Sequence, residues 1–273
     1  MNQPPDLDAY FARIAYAGPR APTLGVLRAL VACHVAAIPF ENLDVLLGRG
    51  ISLAPEAVER KLVTERRGGY CFEQNSLLLR ILTEMGYRAT PLSARVRIGR
   101  PRDFTPPRTH LFLRVEIDGQ AWLADVGVGG LSPTDVLRFD TEAEQPTPHE
   151  PRRIVREDGR WFHQARLGDE WADVCEFTME EMPPIDRELG NWYTSTHSGS
   201  RFRRDLMAAR AGEGGARYTI LNDEFTIRRG AEGIVDRRVI ATPDQLLSLL
   251  EEFFGLSFPP ETRFAVPGAT WAV

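Results

Sequence analysis

The spacing of apolar residues changes once along this chain, near Tyr87, and that change limits what the chain can fold into. Up to that point apolar side chains recur every three or four positions. Leu7, Tyr10, Phe11 and Ile14 form one such run, and Leu24, Leu27, Leu30 and Val31 form another behind a capping Thr23. Val58, Leu62 and Val63 follow Pro55, and Leu78, Ile81, Leu82 and Met85 follow Cys71 and stop at Gly86. Beyond Tyr87 the period becomes two. Leu111, Leu113, Val115 and Ile117 alternate with His110, Phe112, Arg114 and Glu116. Helices followed by strands, with both in the last third, read as an α+β chain.

Turn residues divide the strand-rich part. Asp118-Gly119 reads as a two-residue hairpin turn, with Gln120 to Val126 as the returning strand, and Asp158-Gly159 reads as a second. Glu142 to Pro151 is acidic and proline-bearing, which predicts an exposed loop, and Arg152 to Arg156 reads as an exposed strand edge. The last third mixes both periods. Tyr218 to Arg228 reads as strand with a turn at Asn222-Asp223. Thr242-Pro243-Asp244 opens an amphipathic helix that carries Leu246, Leu247, Leu250 and Phe254 and stops at Gly255. Pro259 to Val273 reads as an ordered coil. A length of 273 residues suits more than one domain, and the pattern divides at about 1–87, 88–190 and 191–273.

Composition removes several function classes. The net charge of −5 argues against a general nucleic-acid binder. No apolar window approaches the ~18 residues a membrane-crossing helix needs. Met1 to Asp8 lacks the basic and apolar regions of a signal peptide. Three cysteines, Cys33, Cys71 and Cys175, without such a peptide read as reduced thiols of a cytoplasmic protein. No pair has the spacing of a structural zinc site, and no metal is expected. Lys61 is the only lysine among 33 basic residues, which reflects either coding bias or a use for bidentate anion recognition.

The most informative stretch is Arg67-Gly68-Gly69-Tyr70-Cys71-Phe72-Glu73-Gln74-Asn75. Two glycines permit a tight turn, and the cysteine follows at the start of a helical pattern. There the positive end of the helix dipole favours a thiolate, the nucleophilic form. The alternative is a small buried hydrophobe, the common fate of a free cysteine. Cys33 and Cys175 lack this setting and read as structural.

The Asp118-Gly119 turn supplies a geometric test. With those two residues at the turn, Ile117 pairs with Gln120, so Phe112 faces Asp125 and His110 faces Gly127. His110 and Asp125 then share one face as diagonal neighbours, within reach for a carboxylate to orient an imidazole. A slip of one residue would send Asp125 to the other face, and a plain surface His–Asp pair is the alternative. Gly127 opposite His110, with the glycines that follow it, reads either as room for a ligand beside the backbone or as a plain turn leaving the strand. Gly127-Val128-Gly129-Gly130 lacks the spacing of a nucleotide-binding fingerprint. His34 reads as a satisfied core histidine. His149 and His163 show no convincing partner and read as structural or solvated.

Taken together, Cys71, His110 and Asp125, in that order and with these surroundings, resemble the arylamine N-acetyltransferase family. Pro39-Phe40-Glu41-Asn42-Leu43, Thr109-His110-Leu111, Asp125-Val126-Gly127 and Asn191-Trp192-Tyr193-Thr194-Ser195-Thr196-His197 are similar to further motifs of that family, so the likeness extends over nearly the whole chain. The resemblance implies a helical bundle, a central β-barrel and an α/β lid around a papain-like cysteine-enzyme core. It implies a ping-pong reaction in which acetyl-CoA, a co-substrate rather than a resident cofactor, acetylates Cys71. A small aromatic amine, arylhydrazine or N-hydroxyarylamine then takes the acetyl group. His110 would be the base and Asp125 its orienting carboxylate. Phe40, Val96, Val128 and Phe202 would line the acceptor pocket, and Thr109 and Gly129 would lie near the pantetheine arm. Two positions depart from the pattern: Val128 stands where many members carry an aromatic residue, and Ser198 stands where a proline is common. The sequence leaves a monomer or a homodimer open. It also leaves open a macrolactam-forming amide synthase, or a cysteine hydrolase on the same three residues.

Overall fold

The computed structural model describes residues 4–266. The N-terminal part is helical, as its periodicity predicts. Helix α1 (Leu7–Arg13) starts at Asp6, whose Oδ1 accepts the Ala9 N–H at 2.9 Å. Helix α2 (Leu24–Ala37) is capped by Thr23, whose hydroxyl accepts the Val26 N–H at 3.4 Å. A two-residue strand β1 (Phe40–Glu41) and a short helix α3 (Leu43–Leu46) follow. Helix α4 (Pro55–Glu59) opens on Pro55 and widens into a π turn at Arg60–Thr64. Helix α5 (Cys71–Glu84) closes this part. The buried faces of α1, α2 and α5 meet in one core around Tyr10, Leu27, Leu30, Leu78 and Ile81, and Leu113 and Val115 complete it from the neighbouring sheet.

That sheet contains β2 (Arg88–Val96), β3 (His110–Ile117), β4 (Gln120–Ala124), β5 (Leu137–Arg138), β6 (Arg152–Glu157), β7 (Arg160–Leu167) and β8 (Glu170–Glu181). Its order is β5-β4-β3-β2-β8-β7-β6, all antiparallel, and it curls into a nearly closed barrel. Both hairpins turn where expected, with φ of 50° at Asp118 and 49° at Asp158. Ile117 pairs with Gln120, and the ladder runs in that register to Leu113 opposite Ala124. There the returning strand leaves the ladder, one residue before Asp125.

Two exposure expectations fail here. Glu150, near the end of the acidic loop, is buried, and Arg152, at the start of the supposed exposed edge, is completely buried. The two side chains satisfy each other's charge by an ion pair at 3.0 Å, a pairing that neither composition nor period encodes.

The C-terminal part comprises α6 (Pro184–Thr196), β9 (Met207–Ala211), β10 (Ala216–Leu221), β11 (Glu224–Arg229), β12 (Gly233–Val239) and α7 (Pro243–Phe254), with 3₁₀ turns at Arg201–Arg203, Glu213–Gly215 and Gly230–Glu232. The turn at Asn222-Asp223 joins β10 to β11, and Thr242 caps α7 by accepting the Gln245 N–H at 3.2 Å. The second sheet runs β1-β9-β10-β11-β12, so a strand from the helical part supplies its edge. Leu246, Leu250 and Phe254 of α7 pack on Ile220 and Phe225 of this sheet. Phe264 and Val266 are buried in the same core, which makes this much of the expected coil ordered; Pro267 to Val273 lie outside the described residues. The architecture is α+β and multi-domain, with the helical, barrel and lid parts expected of it. Among the described residues no helix is long and apolar enough to cross a membrane.

Candidate active site

Cys71 is the first residue of α5 and is buried. The chain enters this helix through close packing rather than through a glycine turn. Neither Gly68 nor Gly69 has a positive φ; Arg66 does, at 54°. A Cβ on Gly68 would lie 2.3 Å from the Pro39 carbonyl oxygen, so glycine there allows two backbones to touch. The Gln74 amide reinforces the contact by donating to the carbonyls of Pro39 at 2.9 Å and Gly69 at 3.0 Å. Glu73, in the first turn, accepts the Tyr70 N–H at 3.0 Å and binds Lys61 Nζ at 2.7 Å. Lys61, which the sequence left without a role, therefore neutralises a buried carboxylate beside the helix start. It also meets Asp44 at 2.8 Å.

His110, the first residue of β3, donates from Nε2 to Asp125 Oδ2 at 2.7 Å, and both are buried. The His110 ring also lies near enough to Cys71 for the sulfur to favour the charged imidazole. The thiol also lies 3.5 Å from the Thr109 carbonyl oxygen. Phe112 stacks parallel to the His110 ring, with centroids 6.4 Å apart. Burial opposes charge on His110, but the Asp125 carboxylate and the Cys71 sulfur outweigh it and raise the imidazole pKa to about 10. Burial likewise opposes ionisation of Asp125, yet the histidine, the Gly127 N–H and Asn75 hold its carboxyl below the usual range.

Asn75 is a site residue that the sequence reading quoted but did not assign. Its amide donates to Asp125 Oδ1 at 2.9 Å and to the Leu111 carbonyl at 2.7 Å, and its oxygen accepts the Val126 N–H at 3.1 Å. Its place one helical turn after Cys71 was the available signal, since i and i+4 share a helix face. Gly127 requires a correction. A Cβ there would sit 2.7 Å from Cys71 Cα and 2.7 Å from Asn75 Nδ2. The space beside Gly127 is filled by the nucleophile helix, not kept for a ligand.

The expected pocket residues separate into two groups. Phe40 and Phe202 join Tyr70 and Cys71 in one apolar cluster, with Phe40 and Phe202 edge to face at 6.1 Å between centroids. Asn42 holds the Phe202 turn by donating to the carbonyls of Phe202 and Asp205, each at 2.7 Å. Val96 and Val128 belong instead to the barrel's interior cluster. Gly129 has a φ of 89° and lies against Phe40, where its Cβ would be 3.3 Å from the ring. Thr109 precedes His110 and presents its carbonyl to the thiol.

His34 is a satisfied core histidine, 2.9 Å from the Tyr10 hydroxyl and 2.8 Å from Gln74 Oε1. His149 is not solvated: its ring nitrogens contact the Thr134 hydroxyl at 3.2 Å and the Ala216 carbonyl at 3.0 Å. His163 is buried beside Arg152 Nη1 at 3.1 Å. Cys175 is buried and pairs across the sheet with both Val96 and His163, and burial pushes its thiol pKa well up, which suits an inert role. Cys33 is half-buried. Among the described residues no His, Cys, Asp or Glu cluster has the makings of a metal site.

Such a site can perform acyl transfer through a thiol, and a family model described as N-acetyltransferase matches residues 23–262. An arylamine N-acetyltransferase of Mycobacterium tuberculosis is 42% identical over 256 residues, covering 92% of this chain and 89% of its own length. The solved structure from that organism superposes with a TM-score of 0.88, covering 92% of this chain and 93% of the other at 42% identity. The Mycobacterium marinum arylamine N-acetyltransferase in complex with CoA superposes with a TM-score of 0.87 at 40% identity, covering 92% of each chain. The chain belongs to the arylamine N-acetyltransferase family.

Proposed function

We propose that this protein acetylates arylamines, arylhydrazines or N-hydroxyarylamines by a ping-pong reaction through an acetyl thioester on Cys71. The observation that carries the reading is the buried Cys71–His110–Asp125 arrangement at the start of α5, in a chain of this family. The solved relative holding CoA supports acetyl-CoA as the donor.

In this mechanism His110 takes the Cys71 proton at Nδ1, and Asp125 steadies the imidazolium through Nε2. The thiolate attacks the thioester carbonyl of acetyl-CoA. The tetrahedral intermediate collapses with cleavage of its bond to the coenzyme sulfur, which leaves as the thiol after accepting the imidazolium proton. One thioester replaces another, so the step is near balance and reversible. The acceptor nitrogen, neutral at pH 7, then attacks acetyl-Cys71. His110 accepts the nitrogen proton and returns one to the departing thiolate. The Cys71 backbone N–H, at the positive end of α5, is placed to stabilise the oxyanion; loss of such a donor costs about 3 kcal/mol. Phe40 and Phe202 supply an aromatic wall for the acceptor ring, while Thr109 and Gly129 face the pantetheine arm. No resident cofactor or metal is needed.

Initial rates at varied acetyl-CoA and aniline test the scheme. It predicts parallel double-reciprocal lines, and a Cys71→Ser variant that folds but turns over neither substrate. Intersecting lines, or near-normal turnover by the serine variant, would remove the cysteine from the pathway. Continued CoA release without any amine would favour a hydrolase. Failure to use acetyl-CoA while amides form from another acyl donor would favour an amide synthase.

A further inference from the structure

Behind the loop that follows Asp125 lies a buried ion cluster that the mechanism above does not use. Glu150 accepts from two arginines: from Arg152 Nη2 at 3.0 Å, and from Arg217 Nε at 2.5 Å and Nη2 at 2.7 Å. All three residues are almost wholly inaccessible. Arg152 comes from β6 of the barrel and Arg217 from β10 of the second sheet. One carboxylate facing two guanidinium groups leaves a surplus positive charge, which burial makes costly unless further acceptors meet it. Two backbone carbonyls do so. Arg152 Nη1 donates to the Leu131 carbonyl at 2.9 Å, and Arg217 Nη2 donates to the Ser132 carbonyl at 2.9 Å. The Ser132 hydroxyl in turn accepts the Gly129 N–H at 3.0 Å. Gly129 lies against the Phe40 ring, which shares a cluster with Cys71 and faces Phe202.

Charge-assisted bonds to carbonyls are directional, whereas a buried ion cluster adds little stability over a well-packed apolar one. The directional effect is therefore what this cluster adds. We infer that Glu150, acting through Arg152 and Arg217, is a positioning residue that fixes the 127–132 loop against Phe40 and thereby sets which acceptors reach acetyl-Cys71. This rests on the acetyl-transfer reading for its consequence, but not for the anchoring itself.

Three variants test it: Glu150→Gln, Arg217→Lys and Ser132→Ala. Arg217→Lys keeps the charge but cannot bridge Glu150 and the Ser132 carbonyl as a fork does. Ser132→Ala leaves every ion in place and removes only the bond to Gly129, so it serves if the charged variants fail to fold. The readouts are hydrogen exchange of the 127–132 amides, alkylation of Cys71 by iodoacetamide, and KM for aniline against 2-aminonaphthalene. Expected are exchange at least about tenfold faster, alkylation within about twofold of the parent, and a change of at least about fivefold in the ratio of the two KM values. Unchanged exchange in variants that fold would overturn the anchoring. Faster exchange with an unchanged KM ratio, or an equal loss for both amines with slowed alkylation, would overturn the role in selecting acceptors. If the parent protein forms no acetyl-Cys71, the acetyl-transfer reading falls, while the exchange data still decide whether the cluster holds the loop.

Discussion

Asp125 is the residue on which the site's electrostatics turn. Its two oxygens are divided, Oδ2 to the His110 ring and Oδ1 to Asn75 and the Gly127 N–H. Asp125→Asn preserves shape but removes the charge that holds the imidazolium, so kcat/KM should fall by about 10³-fold or more in a variant that still folds but has lost the stability the pair adds near neutral pH. A loss of under tenfold in steady-state rates would contradict an orienting role. Asn75→Ala would remove one of the two donors to Asp125 Oδ1 and the Asn75 bonds to the Val126 N–H and the Leu111 carbonyl, and should lower unfolding stability by about 2–3 kcal/mol in denaturant titration. The closeness of His110 and Asp125 was legible because a two-residue turn fixes register by counting; the ladder keeps that register to Leu113 and Ala124, and the expected Phe112–Asp125 and His110–Gly127 pairs lie beyond its end, while Cys71 was marked by its place at a helix start. Asn75 was only half legible: its helix face follows from spacing, but its partners come from another element. Arg152 and Glu150 were misread, because a charged residue pairs inside a barrel only once the chain has closed around it.

At the scale of elements, the close approach of β4's end to the start of α5 decides whether the three residues meet. Gly127 permits it. Gly127→Ala would push a methyl group to 2.7 Å from Cys71 Cα. Backbone cannot yield there as a flexible side chain can, so we expect a loss of about 1–3 kcal/mol in stability and slower alkylation of Cys71. Unaltered alkylation would show that the approach is looser than the structure indicates. The sequence marked Gly127 as special but assigned the space to a ligand, since a glycine signals closeness without naming the neighbour. Helix starts at Thr23, Pro55, Cys71 and Thr242 were legible because caps are local. The crossing of β1 into the second sheet was not, since a two-residue strand has no period to read.

For the whole molecule, three buried groups give stability a defined pH profile. Burial lowers the His34 pKa from 6.5 to about 4, so the unfolded chain binds the extra proton and stability falls as pH drops from about 6.5 to 4. Burial opposes ionisation of Glu150, but Arg217 and Arg152 outweigh it and set its pKa at about 2; its contribution is complete above pH 4.5 and lost as pH falls through 2. Glu150→Gln should flatten the profile below pH 4.5, which thermal melts would show. The raised pKa of His110 adds stability in full below pH 6.5 that disappears as pH rises through about 10, and Asp125→Asn should diminish that alkaline decline. A parent profile flat between pH 7 and 10 would contradict the strength of the His110–Asp125 pair.

Passage of the acetyl group through Cys71 between two substrates is visible in intact-mass measurement of the protein with acetyl-CoA, before and after addition of aniline. The expected result is one acetyl adduct per chain, mapped to Cys71 and absent from Cys71→Ser, that persists without amine and vanishes as acetanilide forms. An unmodified protein that still produces acetanilide would contradict it, because the acetyl group would then pass between substrates without touching the cysteine.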